Sequence, residues 1–296
     1  MRLGALEAGG TKMVCAIGDE QGNIMERVTF PTETPAETMP SIIEFFKKNE
    51  VEAVGVGCFG PIDLNRESKT YGYITSTPKL AWQYFDICGT LSQALEVPIG
   101  FDTDVNGSCL GEITYGAARG CNSAVYITFG TGVGMGICNE GKLIHGLMHP
   151  EAGHMMIAKH KDDAFEGVCP FHKGCVEGLC AGNSIGARYG MKAFDIPKDD
   201  IAWEYTAYYM AQTVVNLILT VSPQKIILGG GVMKQEHLYP MIRKNVKEVL
   251  NGYVQAKELE NLEEYIVVPG CGDDQGILGA LMLGYQEWQR NNDCGL

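Results

Sequence analysis

Two distant stretches of the chain share one plan, and that repetition limits the possible folds more than any other feature. They are "LGALEAGGTKMVCAIGDEQGNIMER" (3–27) and "AVYITFGTGVGMGICNEGKLIHG" (124–146). Each reads as an apolar strand, a tight turn of glycine and threonine, and a second apolar strand. A polar turn ("GDEQGN" or "NEGK") and a short third strand follow. Two unrelated hairpins would share a turn but not this whole order. Its return about 120 residues later implies a duplicated lobe.

The segments after each repeat alternate between helix and strand patterns. "PAETMPSIIEFFKKN" reads as a helix, "EAVGVGC" and "VPIGFDTD" as buried strands, and "VNGSCLGEITYGAARG" as the next helix. The second half continues with a helix over 202–221, the strand "KIILGG" and the helix "YPMIRKNVKEVLNGY". The strand "YIVVPG" and the helix "GILGALMLGYQEWQRN" complete it. The expected fold is α/β, with two lobes and a cleft between them. A length of 296 residues suits two such cores better than one.

Composition removes several classes of function. A net charge of −13 argues against a basic face for nucleic acid and against a polybasic membrane contact. The amino terminus lacks the apolar core of a signal peptide. The stretch 209–221 is too short to span a bilayer and is interrupted by Gln212, Thr213 and Asn216. The 11 cysteines are odd in number, and Cys15 and Cys58 sit in apolar runs. Buried, reduced thiols in a cytoplasmic protein are therefore expected.

Glycine-rich turns supply the first chemistry. In "EAGGTK", Gly9 and Gly10 allow backbone N–H groups to converge on phosphate oxygens, and Thr11 and Lys12 add a hydroxyl and a charge. In "FGTGVGMG" the matching residues are Gly130, Thr131, Gly132 and Gly134. Neither turn is a P-loop, and neither is a dinucleotide fingerprint, because strands follow them. A plain hairpin turn explains either one alone. As a pair on two lobes, they are suited to gripping a polyphosphate. A third cluster, "KIILGGGVM", ends a strand before a helix, where a nucleotide can lie close to the backbone. It contains Gly229, Gly230, Gly231, Val232 and Met233, more glycine than a turn alone requires.

The stretch "GVCPFHKGC" spaces Cys169, His172 and Cys175 as zinc ligands. It falls in an irregular insertion after the second hairpin set. A fourth ligand is needed, and His149, His154, His160 and Cys180 are all near enough in sequence. Spacing does not choose among them. A closed four-ligand site would leave no open position for substrate, so its role would be structural.

In this order, "LEAGGTK", "FGTGVGMG", "EAGH", the cysteine and histidine cluster and "LGGGV" resemble the sugar kinases of the ROK family. The resemblance covers nearly the whole chain. It implies the actin/hexokinase ATPase fold: two ribonuclease-H-like lobes closing over sugar and ATP, with a small zinc-binding insertion. The lobe boundaries expected are 1–118 with 283–296, and 119–282. ATP with magnesium would be the co-substrate. The two glycine turns would face the triphosphate, with residues 229–233 against the adenosine. Residues 183–185, ending in Ile185, would add a nucleotide contact. A homodimer is implied by the family and by no pattern in the residues.

Phosphoryl transfer to a sugar needs a carboxylate at the accepting hydroxyl. "FDTDVNG" offers Asp102 and Asp104 on one face of a strand. Asp104 meets the start of the next helix, whose N–H groups favour its ionised form. The family's catalytic aspartate precedes a small apolar residue and Asn, which here is Asp104-Val105-Asn106. Asp104 is therefore expected to be the general base, while helix capping suits Asp102 better. Thr103 stands where many family glucokinases carry a sugar-binding Asn, which counts against glucose. Glu7 replaces the usual aspartate of the first turn, so its link to magnesium would run through water.

The resemblance also takes the His of "EAGH", His154, as the fourth zinc ligand, and Glu151 and Glu177 as acids that bind sugar hydroxyls. Zinc joining His154 to Cys175 would hold those two acids in register. The segment "TSTPKLAWQYFD" (75–86) resembles the fructokinase branch, as does the use of His172 as a ligand. A loop around a buried Trp82 would explain the segment without function. The activity expected is an ATP-dependent fructokinase with fructose 6-phosphate as product, ahead of a broader hexose kinase. A sugar-sensing repressor is disfavoured because only six residues precede Glu7, too few for a helix-turn-helix. An ATP-driven protein without sugar chemistry is disfavoured by the glutamates and the zinc cluster.

Overall fold

In a computed structural model, which describes residues 1–293, the chain forms two compact units. Among the described residues, the first comprises Met1–Gly120, Leu143–Pro150 and 270–293; the second comprises Cys121–Lys142 and Glu151–Pro269. The boundaries drawn from the resemblance stand beside this division as an expectation, and their last residues, 294–296, lie outside the described residues.

The first unit carries β1 (Leu3–Ala8), β2 (Lys12–Gly18), β3 (Ile24–Pro31), β4 (Ala53–Cys58) and β5 (Ile99–Thr103). Helix α1 (Pro35–Lys48) leads to β4, α2 (Ile87–Leu95) to β5, and α3 (Asp104–Thr114) follows β5. The sheet order is β3-β2-β1-β4-β5. Its first two pairings are antiparallel, and β4 and β5 add in parallel. Side chains alternate across the sheet, as strand geometry requires. Leu6, Val54 and Val56 pack with Ile42 and Phe46 of α1 and Leu91 of α2 on one face. On the other, Leu3, Ala5 and Ala53 pack with Ile277, Ala280 and Leu281. Each of the leucine, isoleucine, valine and phenylalanine side chains contributes about 1.5–3 kcal/mol when fully buried.

The second unit repeats the plan. It carries β6 (Ala124–Phe129), β7 (Val133–Asn139), β8 (Lys142–Leu143), β9 (Lys225–Gly229) and β10 (Ile266–Val267), in the order β10-β9-β6-β7-β8. The order is the same as in the first sheet when β8 is matched to β3. The β6/β7 pair is antiparallel, while β6/β9 and β9/β10 are parallel. The helices are α4 (Val176–Cys180), α5 (Gly182–Tyr189), α6 (Ile201–Thr220), α7 (Leu238–Leu250) and α8 (Leu262–Tyr265). The duplication expected from the two stretches is present down to strand order. No described helix is long and apolar enough to cross a membrane.

Helix α9 (Gln275–Asp293) follows β10 in sequence but packs in the first unit, where it fixes α3. A Cβ on Gly279 would lie 1.7 Å from the carbonyl oxygen of Gly107, and one on Gly55 1.7 Å from that of Ala280. Only glycine permits backbones this close. The wholly buried Glu112 of α3 accepts from the N–H groups of Ala117 (2.7 Å), Gly270 (2.9 Å) and Cys271 (2.9 Å). These bonds satisfy a carboxylate that would otherwise be costly to bury. They also tie the approach to α9 against the helix that begins at Asp104.

Candidate active site and metal centre

Asp104 is half-buried at the first position of α3, where unpaired N–H groups favour a carboxylate. Its Oδ1 accepts from the N–H of Val105 at 2.9 Å. The cap of this helix is Thr103, not Asp102: Thr103 has extended backbone and its Oγ1 accepts from the N–H of Asn106 at 3.1 Å. This corrects the capping expected of Asp102, because a cap must immediately precede the first helical residue. Asp102 is only 2% exposed. It accepts from Thr103 N (2.8 Å), Asn106 Nδ2 (2.7 Å) and His145 Nε2 (2.8 Å). The bond to Asp102 pushes the His145 imidazole above its ordinary pKa.

The first glycine turn is framed by the end of β3. Thr32 Oγ1 donates to the Gly9 carbonyl at 2.8 Å, and its N–H donates to the Thr11 carbonyl at 3.1 Å. Thr11 and Lys12 are exposed. Glu7 is half-buried, with burial pushing its carboxyl up. A Cβ on Gly276, near the start of α9, would meet the Glu7 carboxylate at 2.7 Å.

In the second turn, Gly130 N donates to Gly132 O (2.9 Å), and its own carbonyl accepts from Gly182 N (2.8 Å). That bond places α5 beside the turn. A cavity of about 780 Å³ opens there, lined by Gly130, Thr131, Asn183, Gly186, Gly231 and Val232, among others. Ile185 is wholly buried, so its helix presents Asn183 and Gly186 instead. The three glycines after β9 divide by role. Gly229 and Gly230 have packing reasons: a Cβ would meet the Tyr126 hydroxyl at 2.5 Å or the Phe129 backbone at 2.6 Å, and Gly230 has φ +88°. Gly231 faces open space and lines the cavity. Gly132 belongs to the turn and Gly134 to β7, and Met233 is buried.

Four candidate ligand atoms, from His154, Cys169, His172 and Cys175, all lie within 4.8 Å of one another. Cys169 Sγ is 3.7 Å from His154 Nδ1 and 3.8 Å from His172 Nδ1, and Cys175 Sγ is 3.6 Å from His154 Nδ1. A tetrahedral zinc with ordinary bond lengths sets sulfur–nitrogen edges of about 3.6 Å. The donor set and its spacing therefore fit that ion. The alternatives left open by spacing have other surroundings. His149 Nε2 accepts from Ile62 N (3.2 Å), His160 Nδ1 accepts from Asp162 N (3.2 Å), and Cys180 is not among the described residues that come together in the cluster.

Two acids flank this cluster. Glu177, in the first turn of α4, accepts from the N–H of Val133 through Oε2 at 3.0 Å. Exposed Glu151 precedes the 3-10 turn Ala152–His154. A Cβ on Gly153 would lie 1.9 Å from the carbonyl oxygen of Val133. The acid-bearing turn and the acid-bearing helix thus both rest on one residue at the start of β7.

A family model described as the ROK family matches residues 3–287. The chain belongs to the ROK family. A relative from Lactococcus lactis subsp. cremoris, named fructokinase, is 46% identical over 284 residues, covering 95% of this chain and 96% of the relative. A second, from Pediococcus pentosaceus and also named fructokinase, is 45% identical and covers 96% of this chain and 97% of its own. Among solved structures, the ROK hexokinase from Thermus thermophilus matches with a TM-score of 0.80 at 25% identity, covering 98% of this chain and 100% of that one.

Within this ROK chain, sequence reasoning missed His145, which reaches Asp102 from a segment distant in sequence. It also missed Gly190, Met191, Lys192, Phe194 and Gln235 on the cavity wall. Their only sequence signal is a position just after α5 or just after the third glycine cluster. Lys79, within the segment 75–86, has its side chain against Gly10.

Proposed function

We propose that this ROK chain is an ATP-dependent fructokinase that converts D-fructose to fructose 6-phosphate. The observation that carries the substrate is its likeness, over nearly the full length of both chains, to relatives named fructokinase. The segment 75–86 supports the same branch.

Asp104 takes the proton of the sugar's 6-hydroxyl as that oxygen bonds to the γ-phosphorus of ATP. The bond from the γ-phosphorus to the bridging oxygen breaks, and its electron pair leaves with ADP. The N–H groups of Gly10 and Thr11, and of Thr131 and Gly132, hold the phosphates, with Lys12 and Gly134 alongside, while the N–H groups of Gly9 and Gly130 close their own turns. Adenosine occupies the cavity beside Gly231 and Val232, which Ile185, Gly229, Gly230 and Met233 support from behind. Thr103, Glu151, His154 and Glu177 set the sugar's position.

Magnesium, when bound with ATP, would supply positive charge to offset that building up on the phosphates. Glu7 supplies the hard carboxylate oxygen suited to its water shell. His154, Cys169, His172 and Cys175 would hold zinc, which would fix Glu151 and Glu177 relative to each other. The proposal includes a homodimer, carried by the family resemblance, and a cytoplasmic location, carried by the buried, reduced cysteines; sedimentation and cell fractionation test them.

A coupled ADP-release assay across fructose, glucose, mannose and N-acetylated amino sugars tests the substrate. Fructose should give the highest kcat/KM. A higher value for glucose or mannose would replace this reading with a broader hexose kinase, which the likeness to the Thermus hexokinase favours.

A further inference from the structure

The loop between β4 and α2 is rigidly anchored beside the first glycine turn. Trp82 is 1% exposed and packs edge-on to Phe59 and Phe85. Its Nε1 donates to the Glu33 carbonyl at 2.7 Å. Glu33 directly follows Thr32, which holds the carbonyls of Gly9 and Thr11. The tryptophan and the glycine turn are therefore fixed to the same few residues at the end of β3.

Lys79 is fixed by this frame at two points. Its carbonyl accepts from Trp82 N at 2.8 Å, and its N–H donates to Thr77 Oγ1 at 3.3 Å. Thr77 is itself buried, and its carbonyl accepts from Gln83 Nε2 at 2.8 Å. From this backbone the side chain crosses the glycine turn. A Cβ on Gly10 would lie 3.2 Å from Lys79 Cε and 3.8 Å from its Nζ. The missing side chain of Gly10 is what leaves room for the lysine stem. No described carboxylate forms an ion pair with Lys79 Nζ. An ammonium with no carboxylate partner, set against an exposed glycine turn, is a seat for an anion.

We propose that Lys79 is a phosphate-binding residue of the first glycine turn, with its ammonium contacting the terminal phosphates of the bound nucleotide. This rests on the reading of that turn as the triphosphate site. It gives "TPK…W" a physical meaning: Trp82 anchors the loop, and Lys79 delivers a charge that Gly10 leaves room for.

The test measures binding of magnesium-AMPPNP to the full chain without sugar, alongside steady-state kinetics with fructose. Lys79→Ala and Lys79→Gln should weaken binding roughly tenfold or more, as loss of a hydrogen bond to a charged group does. Lys79→Arg should stay within about threefold of wild type, because it keeps the charge. The loss should shrink as salt is raised, because the ammonium is solvent-facing. KM for fructose should change less than twofold. Binding by Lys79→Ala within twofold of wild type would overturn the proposal, as would an equal loss in Lys79→Arg. Wild type that binds AMPPNP, with the Lys79 effect intact, but does not phosphorylate fructose would support Lys79 while overturning the fructokinase reading. Wild type that binds no nucleotide would overturn both.

Discussion

The N–H of Val133 donates to Glu177 Oε2 at 3.0 Å, so the second glycine turn and the helix after the metal cluster are held together by a carboxylate. Removing that acceptor should cost more than charge. Glu177→Ala leaves the Val133 N–H without its partner, a loss of about 1–3 kcal/mol if it stays buried. Glu177→Gln keeps an oxygen that can accept. In thermal unfolding the Ala variant should therefore melt several degrees below the Gln variant, while both lose sugar affinity. Equal melting temperatures would remove the bond from any structural role.

Asp104→Asn should lower kcat by a factor of about 10² or more, the scale of a lost general base, while leaving the Kd for fructose within a few-fold. The fold should survive, because Thr103 caps α3 and Asn is tolerated in a first turn. Turnover close to wild type in a sugar-dependent ADP-release assay would rule Asp104 out as the base.

Metal analysis should find one zinc per chain. Cys169→Ser and Cys175→Ser should abolish it, because each removes a thiolate from the four-ligand set. His149→Ala and Cys180→Ala should retain it. Chelation should raise KM for the sugar more than KM for ATP, since the cluster adjoins the two acids. Full activity in demonstrably zinc-free protein would overturn the structural role.

His145 should make stability depend on pH. Its hydrogen bond to Asp102 raises its pKa in the folded state above the ordinary value of 6.5. The resulting stability is fully present below that ordinary value and is lost as pH rises through the folded-state value. The advantage of wild type over His145→Gln should therefore be largest under mildly acidic conditions and fade toward alkaline ones. With the His145 side chain 41% exposed, screening limits the effect to on the order of 1 kcal/mol or less. Urea midpoints for both proteins across this range test it; a difference that does not change with pH would count against the pair.

The sequence by itself determined the fold class, the duplication and the order of the functional segments. Those features depend on local patterns: period-two strands, helical spacing and glycine at turns act over a few residues and read directly. Their strength shows in two sheets with the same strand order, foreseen from the shared plan of 3–27 and 124–146. The resemblance carried by "EAGH" favoured His154 as the fourth ligand; spacing could not. Only the tertiary structure brought His154 to the cysteines and gave His149 to Ile62. It also moved the cap from Asp102 to Thr103, turned Asp102 toward His145, and laid Lys79 across Gly10. The physical reason is common to all of these. Irregular loops have no period, so which side chains meet is settled by how the loops are anchored to the core, and not by their separation along the chain.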